Sequence, residues 1–245
     1  MVLIQRDGGF KMVKYKEVAE DIQKRIYANE FNGKLPTEQA LIEMYDVSRN
    51  TIRSAINILV KRGSIHKVQG SGLYINRKTT DDKTIINLSV KIGLTRLLPK
   101  STITSEVLDF HIFPADAAMA QEFNCDPETL IYRVKRLRMI DGKPLAIENS
   151  YYNKDIVKYL DKNIVKNSIY SYIENDLKMD IRFSDEYISM KRLSDEECHL
   201  LNLNQGSSCL MIKEINFLRN SAIFNVSETL YNSDHIALYA PVQRD

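Results

Sequence analysis

Two pairs of arginines in the sequence stand among residues that suit the binding of anions. Arg49 and Arg53 lie four positions apart in a polar stretch that also contains Asn50, and Arg136 and Arg138 lie two positions apart. An arginine fork can pair with guanine O6 and N7 or with a phosphate or carboxylate, while asparagine can pair with adenine. The first pair therefore favours the reading of DNA bases, and the second favours the binding of a small anion.

The first pair needs a helix to present it. Apolar residues recur every three or four positions from 52 to 60, which predicts an amphipathic helix with Ser48 as its N-cap and Gly63 at its end. The polar positions beside that apolar stripe are Arg49, Asn50, Arg53 and Asn57. The hydroxyls of Ser48 and Thr51, with the unpaired amides of the first turn, suit phosphate oxygens. Such a face either enters a major groove or is simply solvated, and the helix alone leaves both interpretations open.

The segments around this helix complete a small domain. Periodicity and turn residues predict helices over 15–27 and about 38–45 and strands at 65–68 and 73–75. Thr37 is a candidate N-cap, and Gln69-Gly70-Ser71-Gly72 joins the two strands as a hairpin tip. Three helices followed by a hairpin predict a winged helix-turn-helix. Lys67 and Gly70-Ser71-Gly72 then approach the DNA backbone or minor groove, or the glycines only make the turn.

The charge of the chain divides where this domain ends. Residues 1–78 carry 14 Lys and Arg against 8 Asp and Glu, whereas residues 79–245 carry 20 against 24. A basic segment joined to a mildly acidic one indicates two modules, the first with an anionic partner. The polar, aperiodic stretch 76–82 indicates a linker. We therefore expect a DNA-binding domain over 12–76, a linker over 77–87 and a second domain over 88–245.

The second domain is predicted to be built on a mainly antiparallel sheet, which makes the chain an α+β protein. Strands are predicted near 105–113, 129–140, 145–152, 181–192, 209–219 and 223–231, and helices near 115–122, 167–176 and 194–202. Asp141-Gly142 is a strong hairpin signal and Asn220-Ser221 a weaker one.

Several residues of this domain suit an anion site. Arg136 and Arg138 leave the same face of a strand, and Ser168 begins a predicted helix that also contains Tyr170. Glu148 and Glu228 lie on strands and could accept hydrogen bonds from sugar hydroxyls or an amide. The competing interpretation of each is structural: these are an exposed basic strand, a plain N-cap, a packed ring and surface charges.

Other function classes find little support. Three cysteines without CxxC spacing and four dispersed histidines make no zinc pattern, so we expect no metal. No nucleophile-base pair or glycine-rich cofactor loop is present, so neither catalysis nor a cofactor is expected. No apolar run approaches about 18 residues and the start lacks a signal peptide, so a cytoplasmic protein without a membrane partner is expected.

The first domain resembles the DNA-binding domain of the GntR family of bacterial transcription regulators over residues 14–76. The shared motifs are Leu35-Pro36-Thr37-Glu38, Val47-Ser48-Arg49-Asn50-Thr51-Ile52-Arg53, Gly63 and Gly70-Ser71-Gly72-Leu73-Tyr74-Ile75. The resemblance implies that Ser48, Arg49, Thr51 and Arg53 belong to the recognition helix and Gly70 to the wing. Gln39 departs from the family, where many members carry an arginine that contacts phosphate or base.

The second domain resembles the UTRA effector-binding domain of the HutC subfamily over residues 88–242. The shared motifs are Gly93-Leu94-Thr95, Arg136-Leu137-Arg138, Asp141-Gly142-Lys143-Pro144, Glu148-Asn149-Ser150-Tyr151-Tyr152, Ser168-Ile169-Tyr170 and Glu228. The resemblance implies a chorismate-lyase-like fold and an effector site made of Leu94, Thr95, Arg136, Arg138, Glu148, Tyr152, Ser168, Tyr170 and Glu228. In it the arginines, Ser168 and Tyr170 hold an anionic group, and a phosphosugar is favoured over a carboxylate such as urocanate. The loop after Thr95 departs from the family because it lacks acidic residues.

Together these features predict a transcription regulator, with a repressor favoured, that binds operator DNA as a homodimer under the control of a small anionic effector. Two recognition helices must meet successive major grooves about 34–36 Å apart, which favours a pseudo-palindromic operator. The effector acts by preferring one arrangement of the DNA-binding heads. The alternatives are a lyase-like enzyme for a small anionic substrate with an accessory DNA-binding domain, and an architectural DNA binder without a ligand.

Overall fold

The structure is a computed structural model that describes residues 14–76, 84–88, 101–232 and 234–240. Its described part divides into two compact units. The first unit contains 14–76 with 87–88 and 238–240, and the second contains 84–86, 101–232 and 234–237. The predictions for Leu94 and Thr95 lie outside the described residues.

The first unit has the three helices and the hairpin that the sequence predicts. Its elements are α1 (Lys14–Tyr27), α2 (Glu38–Tyr45), α3 (Arg49–Lys61), β1 (Ile65–Val68) and β2 (Gly72–Ile75). Both predicted N-caps are confirmed: Thr37 Oγ1 accepts a hydrogen bond from the Ala40 amide, and Ser48 Oγ accepts one from the Thr51 amide. Asp46 adopts a left-handed conformation at the end of α2, so only a few residues separate α2 from α3.

The core of the first unit uses the apolar stripe of α3. Ile52, Ala55, Ile56 and Leu59 are fully buried, and they pack with residues of α1, α2 and the hairpin. Burying a side chain of this size contributes roughly 1.5–3 kcal/mol, so the stripe fixes how α3 rotates about its axis. The opposite, polar side of α3 must therefore face outward.

The hairpin tip depends on glycine. β1 and β2 pair antiparallel from Ile65 opposite Ile75 to Val68 opposite Gly72. Gly72 has φ of 124°, and a Cβ atom built there would lie 2.8 Å from Lys34 Cε. The backbone conformation therefore favours glycine at position 72, and a Cβ atom there would displace only the flexible end of Lys34.

The second unit contains a six-stranded antiparallel sheet in the order β4-β5-β6-β9-β8-β7. Its strands are β4 (Ile103–Pro114), β5 (Leu130–Ile140), β6 (Lys143–Asn153), β7 (Ile181–Arg192), β8 (Ser208–Leu218) and β9 (Ile223–Tyr231). Its helices are α4 (Ala117–Phe123), α5 (Lys162–Lys166), α6 (Ile169–Asn175) and α7 (Asp195–Leu200). Each of the six predicted strands and three predicted helices is confirmed, whereas α5 was not predicted.

A separate two-stranded sheet pairs β3 (Thr84–Asn87) with β10 (Ile236–Tyr239). β3 lies inside the segment 77–87, which the sequence predicts to be a linker without regular structure. Neither strand was predicted, because each is only four residues long and lacks a turn signal that joins it to its partner.

Both predicted hairpin turns are present in the large sheet. Asp141 and Gly142 have φ of 49° and 78°, as the turn between β5 and β6 requires, and Ser221 has φ of 65° between β8 and β9. These turns set the register of the central strands. On β5 they place Tyr132, Val134, Arg136 and Arg138 on one face of the sheet.

The two faces of the sheet are covered by different helices. Tyr132, Val134 and Tyr152 pack against Ile169 and Ile173 of α6, and we call this side the α6 face. On the opposite side, residues of β5, β6 and β9 pack against α7, and we call it the α7 face. The α6 face is the one that carries Arg136 and Arg138.

Candidate nucleic-acid interface and effector pocket

The predicted base-reading residues share one exposed side of α3. Arg49, Asn50, Arg53 and Asn57 are all exposed, and Arg53 follows Arg49 by four residues and Asn50 by three and precedes Asn57 by four, which places them on one side of the helix. Ser48 is exposed at the start of the helix, and Thr51 is half-buried beside it with its hydroxyl 2.9 Å from that of Ser48. The structure therefore brings the predicted set together, and it can present guanidinium, amide and hydroxyl groups to a single groove.

Two polar contacts connect this side of α3 to its neighbours. Arg53 Nε donates to Glu38 Oε2 of α2 at 3.1 Å, and Lys67 Nζ of β1 donates to Asn57 Oδ1 at 3.0 Å. The side chains of Arg53 and Glu38 are 58% and 36% exposed, so their ion pair contributes at most about 1 kcal/mol. Both contacts orient the long side chains while leaving them accessible to a polyanion.

Lys34 is a cation near the hairpin tip that sequence reasoning missed. Its Nζ lies 5.1 Å from the centre of the Tyr74 ring, and its Cε approaches Gly72. A cavity of about 340 Å³ lies between residues 34–38 and the hairpin tip 67–73. Gln39, where many GntR members have arginine, instead donates to Glu43 along α2. Lys34 therefore supplies a positive charge in the same unit where the residue at 39 lacks one.

In the second unit, Arg136 and Arg138 are buried on the α6 face, with side chains only 3% and 7% exposed. Arg136 Nη2 donates to Glu148 Oε1 at 2.7 Å and to Oε2 at 2.8 Å, and Arg138 Nη1 donates to Oε2 at 3.1 Å. Ser150 Oγ donates to the same carboxylate at 2.9 Å. The interpretation of β5 as a solvent-exposed basic strand is therefore wrong for these two arginines.

The charges of this cluster are strongly coupled. Burial raises the pKa of Glu148, but the two guanidiniums outweigh it and hold that pKa at about 2. Burial lowers the pKa of Arg138, and Glu148 offsets part of that effect. Burial also acts to lower the pKa of Arg136, but Glu148 outweighs it and raises that pKa. The two guanidiniums therefore share the carboxylate of Glu148.

The two arginines have different roles in the structure. Arg136 Nη1 donates to the carbonyl oxygens of Val165 at 2.8 Å and Asn167 at 3.0 Å, in the connection between α5 and α6. Its two terminal nitrogens are thus both committed to protein acceptors. Arg138 instead lines a cavity of about 600 Å³ beside that connection. Arg136 therefore positions the cavity wall, and Arg138 presents the charge.

The cavity is lined largely by polar side chains. They include Ser105 of β4, Arg138 of β5, and Lys166, Asn167, Ser168 and Asp176 from the segment that carries α5 and α6. Ser168 is the N-cap of α6, as predicted, with its Oγ accepting from the Ser171 amide at 3.2 Å. Hydroxyls, amides and two cations on one cavity can hold a ligand that combines an anionic group with hydroxyl groups.

The structure corrects the expected role of Glu148 and places Tyr152 and Tyr170 in the protein core. Glu148 holds the two arginines together instead of facing the polar groups of a ligand. Tyr152 is 1% exposed and packs with Tyr132. The ring of Tyr170 meets Phe224 edge-on, and burial raises the pKa of its hydroxyl well above the ordinary value. Both tyrosines therefore support the site from behind as neutral, packed rings.

Glu228 lies on the other face of the sheet, so the expectation that it shares a site with the arginines is wrong. In the register, Glu228 stands opposite Asn149 and Lys213, whereas Arg136 and Glu148 align with Thr229. Side chains opposite each other point to the same face, which puts Glu228 on the α7 face. The residue of β9 that shares a face with the arginines is the buried Thr229.

The two folded units correspond to two known families. The model described as "Bacterial regulatory proteins, gntR family" matches residues 14–75, and the model described as "UTRA domain" matches residues 100–237. The chain belongs to the GntR family and carries a UTRA domain. The resemblance that the sequence motifs indicated, to the UTRA-containing HutC subfamily, is confirmed.

Relatives of this GntR-family chain match it over nearly its whole length. The HTH-type transcriptional regulator YydK of Bacillus subtilis is 34% identical over 223 residues, covering 90% of this chain and 94% of YydK. The mannosyl-D-glycerate transport/metabolism system repressor MngR of Escherichia coli is 30% identical over 234 residues, covering 94% and 96%. The crystal structure of YydK matches with a TM-score of 0.79 at 32% identity, covering 96% of this chain and 100% of that one.

These relatives are transcriptional regulators, and this GntR-family chain is likewise a DNA-binding transcriptional regulator with an effector domain. The alternative of a lyase-like enzyme is therefore not supported. Among residues 14–76, 84–88, 101–232 and 234–240, no group of three or more His, Cys, Asp or Glu side chains could hold a metal ion. Within those same ranges, no helix is both long and apolar enough to cross a membrane.

Proposed function

We propose that this regulator is a homodimeric repressor whose hold on a pseudo-palindromic operator changes when a phosphosugar occupies the cavity beside Arg138. The observation that carries the proposal is the buried cluster of Arg136, Glu148 and Arg138, which meets a cavity of about 600 Å³ through the guanidinium of Arg138. That volume lies within the usual range of ligand pockets, roughly 300–1,000 Å³.

The hydrogen-bond donors of the cavity favour a phosphate over a carboxylate. A phosphomonoester carries roughly −1.5 to −2 at neutral pH, and a carboxylate carries only −1. Arg138 and Lys166 place two cationic groups on the lining, and Asp176 adds one negative charge. A phosphate offers three acceptor oxygens to these donors, and the hydroxyls of Ser105 and Ser168 and the amide of Asn167 remain available to the sugar.

Operator recognition is proposed to rest on α3 and the wing. Arg49, Asn50 and Arg53 are placed to read base edges, since they share the exposed side of α3. The groups proposed to contact the backbone or the minor groove are Thr37, Ser48, Thr51, Lys67, Gly70, Ser71 and Gly72. The proposed domains remain 12–76 for the winged helix, 77–87 for the linker and 88–245 for the effector and dimerisation domain.

A ligand screen tests the effector part of the proposal. Melting temperatures are measured with hexose 6-phosphates, disaccharide phosphates, the unphosphorylated sugars and inorganic phosphate, because a ligand that prefers the native state stabilises it. We expect a rise with a sugar phosphate and none with the free sugar. Arg138→Ala is expected to abolish the rise.

Arg133→Ala is the matched control, because Arg133 lies on the same strand with its side chain 36% exposed and on the opposite face. A wild-type rise in Arg138→Ala, or a rise with carboxylate ligands only, would contradict the proposed effector site.

A further inference from the structure

Lys34 is held against the wing, the hairpin formed by β1 and β2, through backbone pairing. The amide of Leu35 donates to the carbonyl of Leu73 at 2.9 Å. Lys34 itself stands opposite Tyr74 in the same short antiparallel ladder. The backbone at Lys34 is therefore fixed to β2, although Lys34 lies more than thirty positions before that strand in the sequence.

The two sides of this ladder have opposite characters. Leu35 and Leu73 are buried in the core of the first unit, whereas Lys34 is exposed. Successive residues of an extended chain point to opposite faces, so burial of Leu35 turns the side chain of Lys34 outward. Its Nζ lies over the ring of Tyr74, 5.1 Å from the ring centre. The ammonium is thus placed on the outer side of the wing.

Glycine at position 72 gives the lysine side chain its space. A Cβ atom built on Gly72 would lie 2.8 Å from Lys34 Cε and 3.4 Å from Lys34 Nζ. Because Gly72 has no side chain, the aliphatic stem of Lys34 can cross the start of β2. The ammonium therefore lies beside the tip of the wing.

The charge of Lys34 is not balanced by a neighbouring acid. Within the described part of the chain, no carboxylate forms an ion pair with Lys34. Two arginines of the same unit differ from it, since Arg25 pairs with Glu30 at 2.7 Å and Arg53 pairs with Glu38 at 3.1 Å. The ammonium of Lys34 therefore suits an anion that comes from another molecule.

The cavity of about 340 Å³ beside Lys34 is lined by groups that suit a phosphate. Its polar side chains are those of Lys34, Thr37, Glu38, Lys67, Gln69 and Ser71. Glu38, the one acid among these described lining residues, is engaged by Arg53. Two ammonium groups and two hydroxyls are then available to donate hydrogen bonds to phosphate oxygens.

We propose that this cavity binds one backbone phosphate of the operator and that Lys34 supplies its main charge. The inference rests on the proposed recognition of the operator by α3 and the wing, and it adds a contact to that interface. A hairpin beside a helix in the major groove meets the backbone that borders the groove. Lys34 then holds the wing on the duplex without reading its sequence.

The exposure of the lining favours a phosphate of a polymer over a free ion. Lys34, Thr37, Lys67 and Ser71 are all exposed. A free phosphate would keep much of its hydration there, because small ligands are usually bound where most of their surface is buried. A phosphate of duplex DNA is instead brought to the cavity by the contacts of α3 on the same molecule.

Lys34→Met tests the charge, because methionine keeps an aliphatic stem over Tyr74 and removes the ammonium. Fluorescence anisotropy at several salt concentrations measures the affinity for a duplex that the protein selects from a random pool. We expect roughly a tenfold loss of affinity. The slope of log K against log salt should become smaller by about 0.9, the value for one phosphate. An unselected duplex should lose the same factor.

Two further variants control this experiment. Lys34→Arg keeps a positive charge at the same place and should retain most of the affinity and the salt slope. Lys24→Met removes an exposed lysine on the outer side of α1, two positions from the buried Ile22, and should change neither quantity. Melting temperatures close to that of wild type show that each variant is folded.

A neutral methylphosphonate, placed at one backbone position of the selected duplex at a time, identifies the phosphate. At one position the wild type should lose about as much affinity as Lys34→Met loses on the unmodified duplex. At that position Lys34→Met should lose nothing further, because the two changes remove the same contact. Full additivity of the two losses at every position would contradict the proposed contact.

The outcomes separate this inference from the proposed function. Wild-type affinity and salt slope in Lys34→Met overturn the phosphate site, and recognition by α3 stands if Arg53→Ala still weakens binding. Unchanged affinity in both variants overturns both. Inorganic phosphate that raises the melting temperature of wild type and not of Lys34→Met, with DNA binding unchanged in that variant, would assign the cavity to a free ion and overturn the inference.

Discussion

The arginines of α3 and those of β5 place the same side chain in opposite surroundings. The side chain of Arg53 is 58% exposed and its ion pair with Glu38 lies at the surface. The side chain of Arg136 is 3% exposed, and its partners are a carboxylate and two backbone carbonyls. The first arrangement keeps a mobile charge available to a polyanion, and the second fixes a charge before any ligand arrives.

This difference follows from which side of each element the core occupies. On α3 the apolar stripe fills the core, so Arg49 and Arg53 must point outward. On β5 the α6 face is itself covered, so Arg136 and Arg138 are taken out of water and need Glu148. The exposed arginines of α3 should therefore attract DNA in a way that weakens with added salt. The buried arginines should instead depend on their exact positions, so that small changes of side chain impair binding.

The largest expected effect is on the stability of the buried cluster. Glu148→Gln removes the carboxylate that pairs with both Arg136 and Arg138, and loss of one partner from a buried ion pair costs roughly 3–5 kcal/mol. Denaturant unfolding measures this loss. Glu196→Gln is the control, because its side chain is 73% exposed in a surface pair with Lys135 and should change stability by less than about 1 kcal/mol. Equal losses of stability in the two variants would show that the buried and the exposed ion pairs contribute alike.

The carboxylate of Glu148 should also make the free energy of unfolding depend on pH. The pKa of Glu148 lies at about 2 in the folded protein and at an ordinary value of 4.5 when unfolded. A depressed folded pKa stabilises the protein fully above the unfolded value, and the contribution disappears as the pH falls from about 4.5 to about 2. The contribution is about 3 kcal/mol. Unfolding curves across this pH range should show a steeper loss in wild type than in Glu148→Gln, and parallel curves would contradict the assignment.

A lysine at position 138 should separate charge from geometry in the cavity. Arg138→Lys keeps the positive charge but loses the planar fork that binds Glu148 and a phosphate together. We expect roughly a tenfold weaker affinity for a sugar phosphate, measured by calorimetry, which corresponds to the loss of about one charge-assisted hydrogen bond. Unchanged affinity would mean that a point charge suffices and that the preorganised fork has no role.

On α3, single substitutions should weaken DNA binding without unfolding the protein. Arg53→Ala is expected to reduce operator affinity by about 1–3 kcal/mol and to relax specificity at one base position, and Arg49→Ala should behave similarly. Lys61→Ala, in the last turn of the same helix, is the control. Fluorescence anisotropy with a duplex that the protein itself selects from a random pool measures the change. An unaltered operator affinity in both arginine variants would remove them from the interface.

The smallest effect is expected at the wing. Gly72→Ala should destabilise the hairpin by about 1–2 kcal/mol, because φ of 124° is strained for alanine and its Cβ would meet Lys34. Gly70→Ala, with φ of 72° and open space around it, should cost only the backbone strain, about 1 kcal/mol. Amide hydrogen exchange in the hairpin compares the two. A larger effect at Gly70 than at Gly72 would argue against the role assigned to Lys34.

The features that the sequence predicted well are those set by local signals. The caps at Thr37 and Ser48, the stripe on α3 and the turn at Asp141 each depend on residues within a few positions of one another. Glu228 was placed on the wrong face because register depends on the pairing of β9 with β6 and β8, and an offset of one residue reverses the face.

The remaining parts of the site depend on packing between distant segments. Lys166, Ser105 and Asp176 carry no motif, and they reach the cavity only because α5 and α6 pack over β4 and β5. The role of Glu148 could not be predicted either, because the sequence around a carboxylate on a strand is the same whether the carboxylate faces a ligand or pairs with two arginines. α5 itself is only five residues long and carries a weak periodic signal.

We propose that occupancy of the cavity beside Arg138 controls how tightly α3 binds the operator. Operator affinity, measured by anisotropy with and without the sugar phosphate that gives the largest thermal shift, tests it most directly in wild type and Arg138→Ala. We expect operator affinity to change by about 5–150-fold in wild type, the usual range of allosteric coupling, and to be the same with and without ligand in Arg138→Ala. A wild-type affinity that does not change with ligand, or an equal change in Arg138→Ala, would contradict it.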